Sequence, residues 1–423
     1  MKITIFGTGY VGLVTGTCFA ELGNDVLCID KDKSKIEKLK KGIPTIYELG
    51  LEELLKRNIK EKRLNFSTDE KEGMSFGEII FSAVGTPPDK DEKADLTFVK
   101  QIAKTFGKHL NSYKLLINKS TVPVGTADIC EKIIKEELKK RKKKLAFDVV
   151  SNPEFLREGT AIKDTFTPDR IIVGTNSKEA KKIMEKLYSS IVRTGKPLII
   201  TDVKSAEIIK YAANSFLATK ISFINEIANF CEKAGGNIHE IAKGIGLDDR
   251  IGPRFLHAGI GYGGSCLPKD VKALIQSGKE YGHEFKIIKS AEEVNSRQID
   301  LLIEKLKKQI PNLKGKVIAI WGLAFKPKTD DIREAPALKI IGKLLKEGSK
   351  IRAFDPVAMQ NTKKIFPKIY YAKNSYDTAK RADALIIATE WDEFRSVDIE
   401  KVKKTLRKGI IIDGRGMYNH SNN

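Results

Sequence analysis

The chain opens on a short apolar run, Lys2-Ile-Thr-Ile-Phe6, that breaks at Gly7-Thr-Gly-Tyr-Val-Gly12. Apolar residues then recur at helical spacing to about Gly23, and a second run, Val26-Leu-Cys-Ile-Asp30, follows. Runs this short, bounded by turn residues, read as strands covered on both faces of a parallel sheet. Segments 78–84, 115–118, 147–150, 171–173 and 197–200 repeat the pattern, with helical stretches alternating between them. That alternation predicts βαβ units and an α/β fold.

The period changes at Val203. Residues 203–234 keep apolar positions at helical spacing with no Pro or Gly inside, until Ala234-Gly-Gly ends the run. Such a helix is long for a globular protein and predicts a central spine joining two domains. Shorter helices are expected from there to about Gln309. Beyond Pro311 the strand pattern returns at 316–321, 350–354, 384–388 and 410–413. The expected architecture is two Rossmann-like doubly wound domains joined by a long central helix. Its bounds are an N-terminal domain over 1–200, a helical region over 201–310 and a C-terminal domain over 311–423. The first strand of the second set leads into Gly322-Leu-Ala-Phe-Lys326, which lacks GxGxxG. The second sheet is therefore not expected to hold a dinucleotide in the usual way.

Composition narrows the function classes. Hydrophobic residues at 41% and charged residues at 31% describe a folded chain rather than a disordered one. The formal charge of +21 raises the question of nucleic acid. Its densest basic run, Lys139–Lys144, closes a helical pattern, and elsewhere lysine interleaves with glutamate at helical spacing. No aromatic-and-basic stripe accompanies it, so a lysine-rich surface is expected and a nucleic-acid groove is not. No apolar run approaches the ~18 residues of a membrane span, and no signal-peptide pattern opens the chain. A cytoplasmic enzyme is the resulting expectation. The five cysteines and five histidines are scattered, with no CxxC pair, so neither a disulfide framework nor a metal site is expected.

The glycine turn gains meaning from its position. Strand, GxGxxG, helix and a second strand ending at Asp30 fall within about 30 residues, the pattern of a dinucleotide site. Gly7 permits the tight turn, Gly9 lets the backbone approach a pyrophosphate, and Gly12 lets helix and strand pack closely. The helix start offers free N–H groups and the positive dipole end. Asp30 would accept from a ribose 2′-hydroxyl and repel a 2′-phosphate, favouring NAD over NADP, although Lys31, Lys33 and Lys35 stand nearby. Two more loops, Gly85-Thr-Pro-Pro88 and Lys119–Gly125, follow strand ends and offer the hydroxyls of Thr86 and Thr121 to the ribose or nicotinamide.

One cysteine differs from the rest. Cys18, Cys28, Cys130 and Cys231 sit in apolar helical or strand contexts and read as small core residues. Cys266 lies in Gly261-Tyr-Gly-Gly-Ser-Cys-Leu-Pro-Lys-Asp270, where glycines allow close backbone approach and Pro268 suits the first turn of a helix. A helix start and the neighbouring Lys269 both favour a thiolate nucleophile. Asp270 would hold a water or pair with a lysine. Lys210 and Asn214, four apart on the long helix, share a face, where an ammonium would stabilise an oxyanion and an amide would fix a hydroxyl. Ser151–Glu158 follows a strand end with Glu154 and Glu158 four apart, either one suited to general-base work.

These residues resemble the UDP-glucose/GDP-mannose dehydrogenase family over essentially the whole chain. The resemblance is carried by Gly7–Gly12, Ser120–Thr126, Asn152–Gly159, Lys210-Tyr-Ala-Ala-Asn214, Arg250-Ile-Gly252, Gly263–Asp270, Gly322–Pro327 and Asp331-Ile-Arg333. It implies NAD as cofactor, a homodimer through the central helix, and four-electron oxidation of a nucleotide-sugar alcohol to a carboxylate. Arg250-Ile-Gly252, Phe255–Gly259 and Pro168–Ile171 are similar to the branch that acts on UDP-glucose, with GDP-mannose as the alternative substrate. The implied reaction turns UDP-glucose, two NAD⁺ and water into UDP-glucuronate and two NADH.

The same resemblance assigns residues. Cys266 would hold the intermediate aldehyde as a thiohemiacetal, then as a thioester. Lys210 and Asn214 would stabilise the oxyanions, Asp270 and Thr121 would organise water, and Glu154 or Glu158 would move protons. Gly7, Gly9, Tyr10, Val11, Gly12, Asp30, Lys35, Thr86, Thr121, Glu158, Lys269 and Arg333 would contact NAD. The UDP-sugar would meet Glu154, Phe155, Leu156, Arg157, Glu158, Lys210 and Asn214. It would also meet Phe255, Leu256, His257, Ala258, Gly259, Gly263, Phe325 and Lys326, and Arg250 from its own or the partner subunit.

Overall fold

A computed structural model describes residues 1–418. Its first sheet contains β1 (Lys2–Phe6), β2 (Asp25–Ile29), β3 (Leu64–Ser67), β4 (Ile79–Ser82), β5 (Lys114–Asn118), β6 (Phe147–Ser151), β7 (Ile171–Gly174) and β8 (Leu198–Thr201). The strand order is β3-β2-β1-β4-β5-β6-β7-β8. Ile3 registers with Val26 on one side and Ile79 on the other, which puts β1 in the middle. All pairings are parallel except β6 with β7. The order reverses between β1 and β4, the point where open α/β sheets bind ligands at their carboxyl ends.

The second sheet repeats this plan with β9 (Val317–Trp321), β10 (Lys350–Phe354), β11 (Tyr370–Tyr371), β12 (Ala384–Ile387) and β13 (Ile410–Asp413), in the order β11-β10-β9-β12-β13. Ile318 registers with Ile351 and with Ala384, so β9 occupies the central place that β1 has in the first sheet. Most of the apolar runs read from the sequence are central strands, whereas 197–200 and 410–413 correspond to the half-buried edge strands β8 and β13. The two strands that the hydrophobic pattern does not reveal are edges. β3 is Leu-Asn-Phe-Ser with alternating exposure, and β11 is only two tyrosines long.

By contacts the chain divides into two units. The first holds Met1–Ala213 and Lys272–Tyr281; the second holds Asn214–Val271 and the chain from Gly282 onward. Each has apolar clusters on both sheet faces, Ile5, Phe81 and Ile117 against Phe6, Ile80 and Leu116 in the first. In the second, Ile318, Ile320 and Ile386 stand against Ala319, Trp321 and Leu385. The helix Val203–Ala234 has the bounds read from the sequence. The helices after it are shorter, as expected, and the longest of them, Lys286–Gln309, runs 24 residues. Its polar stretch, Asn295-Ser-Arg-Gln298, interrupts the apolar period without a Gly or Pro to end the helix. No helix among the described residues is long and apolar enough to cross a membrane. Residues 419–423 of the expected C-terminal domain lie outside the described ones.

Candidate active site

In the first unit the three glycines of the turn after β1 have different tasks. Gly7 has φ +99°, and a Cβ there would meet the Ala83 carbonyl oxygen at 2.5 Å. A Cβ at Gly12 would stand 1.9 Å from the Gly7 oxygen. At Gly9 a Cβ would have no atom within 4 Å, so the bare backbone faces open space at the start of helix Tyr10–Glu21. That is the cradle a diphosphate needs. Asp30 directly follows β2. Its Oδ2 accepts from the Thr8 N–H at 2.9 Å and the Thr8 hydroxyl at 2.7 Å, and Oδ1 accepts from the Asp32 N–H at 3.0 Å. Burial raises its pKa, but these three bonds and Lys35 outweigh it and hold the carboxyl below its ordinary value. A fixed, ionised acceptor at this strand end fits a ribose diol. Val11 is half-buried on the same turn.

The Tyr10 side chain turns elsewhere. Its hydroxyl donates to Glu48 and accepts from the Gly159 N–H at 2.9 Å. Glu48, buried, also accepts from the N–H groups of Gly159 at 2.7 Å and Ala161 at 2.8 Å. Together they pin the loop after β6. Glu48 escaped the sequence reading because a lone glutamate in Tyr47-Glu-Leu-Gly50 looks like any loop carboxylate. Replacing it by Ala strands the buried Ala161 N–H and the Tyr10 hydroxyl donor, each costing about 1–3 kcal/mol. Glu48→Ala is therefore expected to lower the urea midpoint by the equivalent of about 2–4 kcal/mol. An unchanged midpoint would contradict this pinning.

The pinned loop carries Glu154, which is buried. Its Oε2 accepts from the Leu156 N–H at 2.6 Å, and its Oε1 lies 3.5 Å from the Lys210 ammonium, also buried. Phe155 stacks under Arg170 at 3.6 Å and lies 5.0 Å from the Lys210 ammonium. Arg157 closes on Asp164 through Nη2 at 2.5 Å and Nε at 3.0 Å. Leu156 and Glu158 are half-buried. The two hydroxyl loops are tied together, since Thr86 donates to the Thr121 carbonyl at 3.0 Å.

In the second unit Cys266 immediately precedes helix Leu267–Glu280, as Pro268 predicts, and its carbonyl accepts from the Asp270 N–H at 2.9 Å. It is half-buried, with Ser265 Oγ 3.6 Å from its sulfur. The other four cysteines are buried, and burial pushes the thiols of Cys18 and Cys28 up to about 12 and that of Cys130 up to about 11. Asp270 is 1% exposed. Asn214 donates to its Oδ2 at 2.6 Å, and Lys269 lies 2.8 Å from its Oδ1. The approach to Cys266 needs its glycines. A Cβ at Gly263 would stand 2.3 Å from the Glu334 oxygen, and one at Gly264 (φ +84°) 2.6 Å from the Phe325 ring. Upstream, Asn295 accepts from the Tyr262 N–H at 2.8 Å.

The same unit contains a cleft of about 800 Å³ lined by Phe255, Leu256, His257, Ala258, Gly263, Phe325 and Lys326. That volume suits a nucleotide-sized ligand. Phe255 has φ +65°, an unusual backbone state for a bulky residue and a mark of ligand-shaped loops. Gly259 lines a neighbouring cavity of about 570 Å³ and donates its N–H to Asn225 at 2.7 Å. Arg415, also in the cleft wall, went unread in the sequence. Its guanidinium donates to the carbonyls of Ala388 at 2.8 Å and Gly261 at 3.0 Å and lies 3.4 Å from Glu390. Asp413-Gly-Arg415 after the last strand was the available signal. Two expected contact residues point into their own neighbourhoods: Arg250 is exposed and paired with Asp248 at 2.6 Å, and Arg333 with Asp331 at 2.7 Å. Among the described residues no His, Cys, Asp and Glu group could hold a metal.

Residues 1–192 match the NAD binding domain of the UDP-glucose/GDP-mannose dehydrogenase family, residues 204–297 its central domain and residues 319–420 its UDP binding domain. The chain is 48% identical, over 99% of its length and 89% of the relative's, to a Bacillus subtilis protein named UDP-glucose 6-dehydrogenase TuaD. A solved UDP-glucose dehydrogenase from the hyperthermophilic archaeon Pyrobaculum islandicum superposes with a TM-score of 0.93 at 36% identity. The match covers 98% of this chain and 94% of that one. A UDP-D-ManNAc dehydrogenase from Pyrococcus horikoshii gives 0.88 at 29%, over 99% and 96%.

Proposed function

Because the chain belongs to the UDP-glucose/GDP-mannose dehydrogenase family, we propose that it oxidises C6 of UDP-glucose twice and releases UDP-glucuronate. NAD is the cofactor, and when bound it accepts one hydride from C6 in each oxidation. Gly7, Gly9 and Gly12, with the backbone of Tyr10 and Val11, would seat its diphosphate, and Asp30 its ribose. Lys35, Thr86, Thr121, Glu158, Lys269 and Arg333 complete the proposed contacts.

The observation that carries this reading is Cys266 itself. It is the half-buried thiol at a helix start, beside a buried Asp270 that Asn214 and Lys269 orient. In the first oxidation the C6 hydroxyl loses a proton toward the Glu154 side and C6 becomes an aldehyde. The Cys266 sulfur adds to that carbonyl, giving a thiohemiacetal whose oxygen is stabilised by Lys210 and Asn214. Loss of the second hydride and the hydroxyl proton leaves a thioester. Water, positioned by Asp270 and Thr121 and deprotonated by Glu154 or Glu158, splits the thioester to the carboxylate and restores the thiol. The buried position of Glu154 against Lys210 favours it over the half-buried Glu158 as that base. The cleft of Phe255–Ala258, Gly263, Phe325 and Lys326 would take the UDP group.

The test counts NADH. Two NADH per UDP-glucose consumed are expected, and UDP-glucose should outpace GDP-mannose and the UDP-N-acetylhexosamines. One NADH with free aldehyde as product would defeat the thioester route.

The reading extends to assembly and compartment. Phe216, Phe223 and Phe230 recur every seven residues on the long helix and are 65%, 50% and 66% exposed, a stripe suited to a second copy of the helix. Arg250, 88% exposed in the single chain, would reach the partner's sugar in such a homodimer. Phe223→Asp is expected to convert the dimer to a monomer in sedimentation velocity; an unshifted species would move the interface elsewhere. A reducing, cytoplasmic setting is supported by five cysteines of which none forms a disulfide.

A further inference from the structure

Lys119 directly follows β5 in the first unit and is 9% exposed. Its ammonium donates to Asn152 Oδ1 at 3.1 Å and to the Tyr188 hydroxyl at 3.5 Å. Both partners are neutral, and Asn152 is itself held by Ile172 O at 2.7 Å and by the Tyr188 hydroxyl at 2.5 Å. A buried ammonium with only neutral hydrogen-bond partners is costly. Anchoring Asn152 would need a donor but not a charge. The charge acts on two other buried groups, Glu154, which attracts it, and Lys210, which repels it. Two cations thus share one carboxylate.

The cavity beside Lys119 supplies no further counter-charge. A cavity of about 60 Å³, enough for a few waters, is bounded by Lys119, Glu154, Phe155 and Tyr188. The remaining charges on its walls are otherwise engaged: Arg157 closes on Asp164, and Arg170 lies over Phe155 beside Asp169. Within Lys119, Glu154 and Lys210 the sum is therefore one positive charge.

We propose that Lys119 is a positioning residue for the oxidation: it competes with Lys210 for Glu154 and so leaves the Lys210 ammonium to the oxyanion on C6. The proposal rests on the function given above. When Lys119 loses its proton, Glu154 and Lys210 neutralise each other, and the oxyanion loses its stabilising charge. Burial pushes the Lys119 ammonium down to about 8. The charged form dominates below that pH and disappears above it, so kcat should fall as pH rises through about 8.

The experiment follows kcat and KM from about pH 6.5 to 10 on the full chain with UDP-glucose and NAD, for wild type, Lys119→Arg and Lys119→Met. Wild type is expected to show the falling limb near 8. Arginine, charged throughout, should retain most of kcat and lose that limb. Methionine should be lower by about tenfold or more at neutral pH and flat through the same range, with both KM values within about threefold. A limb near 8 that persists in Lys119→Arg, or is absent from wild type, overturns the role of Lys119. So does a Lys119→Met protein with wild-type kcat. If Lys119→Met does not fold, the arginine variant decides alone. A wild-type protein that reduces no NAD with UDP-glucose overturns the proposed function, and this proposal with it; a limb that survives in an active Lys119→Arg enzyme overturns only the latter.

Discussion

Cys266→Ser is expected to lower kcat by about 10⁴-fold or more while NAD affinity, read by fluorescence titration, stays within a few-fold. The serine fits the same position, because Cys266 is half-buried at a helix start and the swap removes no volume that the glycines before it define. What changes is chemistry at two steps. A serine hydroxyl is a far weaker nucleophile than a thiol near neutral pH, so the aldehyde is not captured. An oxygen ester also yields to water less readily than a thioester. Cys231→Ala serves as the control. That side chain is 4% exposed in the long helix, so its loss acts on stability and leaves kcat within about twofold. Near-wild-type turnover in Cys266→Ser would remove the nucleophile from the mechanism.

The contrast among the cysteines also shows what a single sequence can disclose. Cys266 was separable from Cys18, Cys28 and Cys130 because local composition predicts exposure: glycines, Ser and Pro around one thiol, apolar periodicity around the others. The central strands and the helix Val203–Ala234 were legible for a related reason, since burial on both faces or unbroken period leaves a dense local signal. What stayed hidden is non-local. Glu48 is important through Gly159 and Ala161, more than a hundred residues away, and Lys119 through Asn152 and Tyr188. Arg415 serves carbonyls of Gly261 and Ala388. Each is an ordinary charged residue beside a strand or turn, and only the sheet order brings its partners within reach. The resemblance supplied roles for Glu154 and Lys210 that spacing alone could not, and the 3.5 Å pair between them is a relation no period in the sequence encodes.

Lys210→Met is expected to lower kcat by about 10²–10³-fold, the usual cost of removing a preorganised oxyanion donor. The methionine matches the buried stem but carries no charge. KM for NAD should hold, because the cofactor turn at Gly7–Gly12 does not involve this side chain. The deletion does more than remove attraction. Glu154 is 6% exposed and loses the ammonium 3.5 Å away, while the buried Lys119 still attracts it. If Lys119 and Lys210 act through one carboxylate, their losses are not independent. The double variant Lys119→Met/Lys210→Met should then be little slower than Lys210→Met alone, since Lys119 has no second ammonium left to release. Independent action would instead multiply the two losses. Single-turnover NADH formation over the two single variants and the double one distinguishes these outcomes, and a Lys210→Met enzyme within tenfold of wild type would remove the ammonium from oxyanion stabilisation.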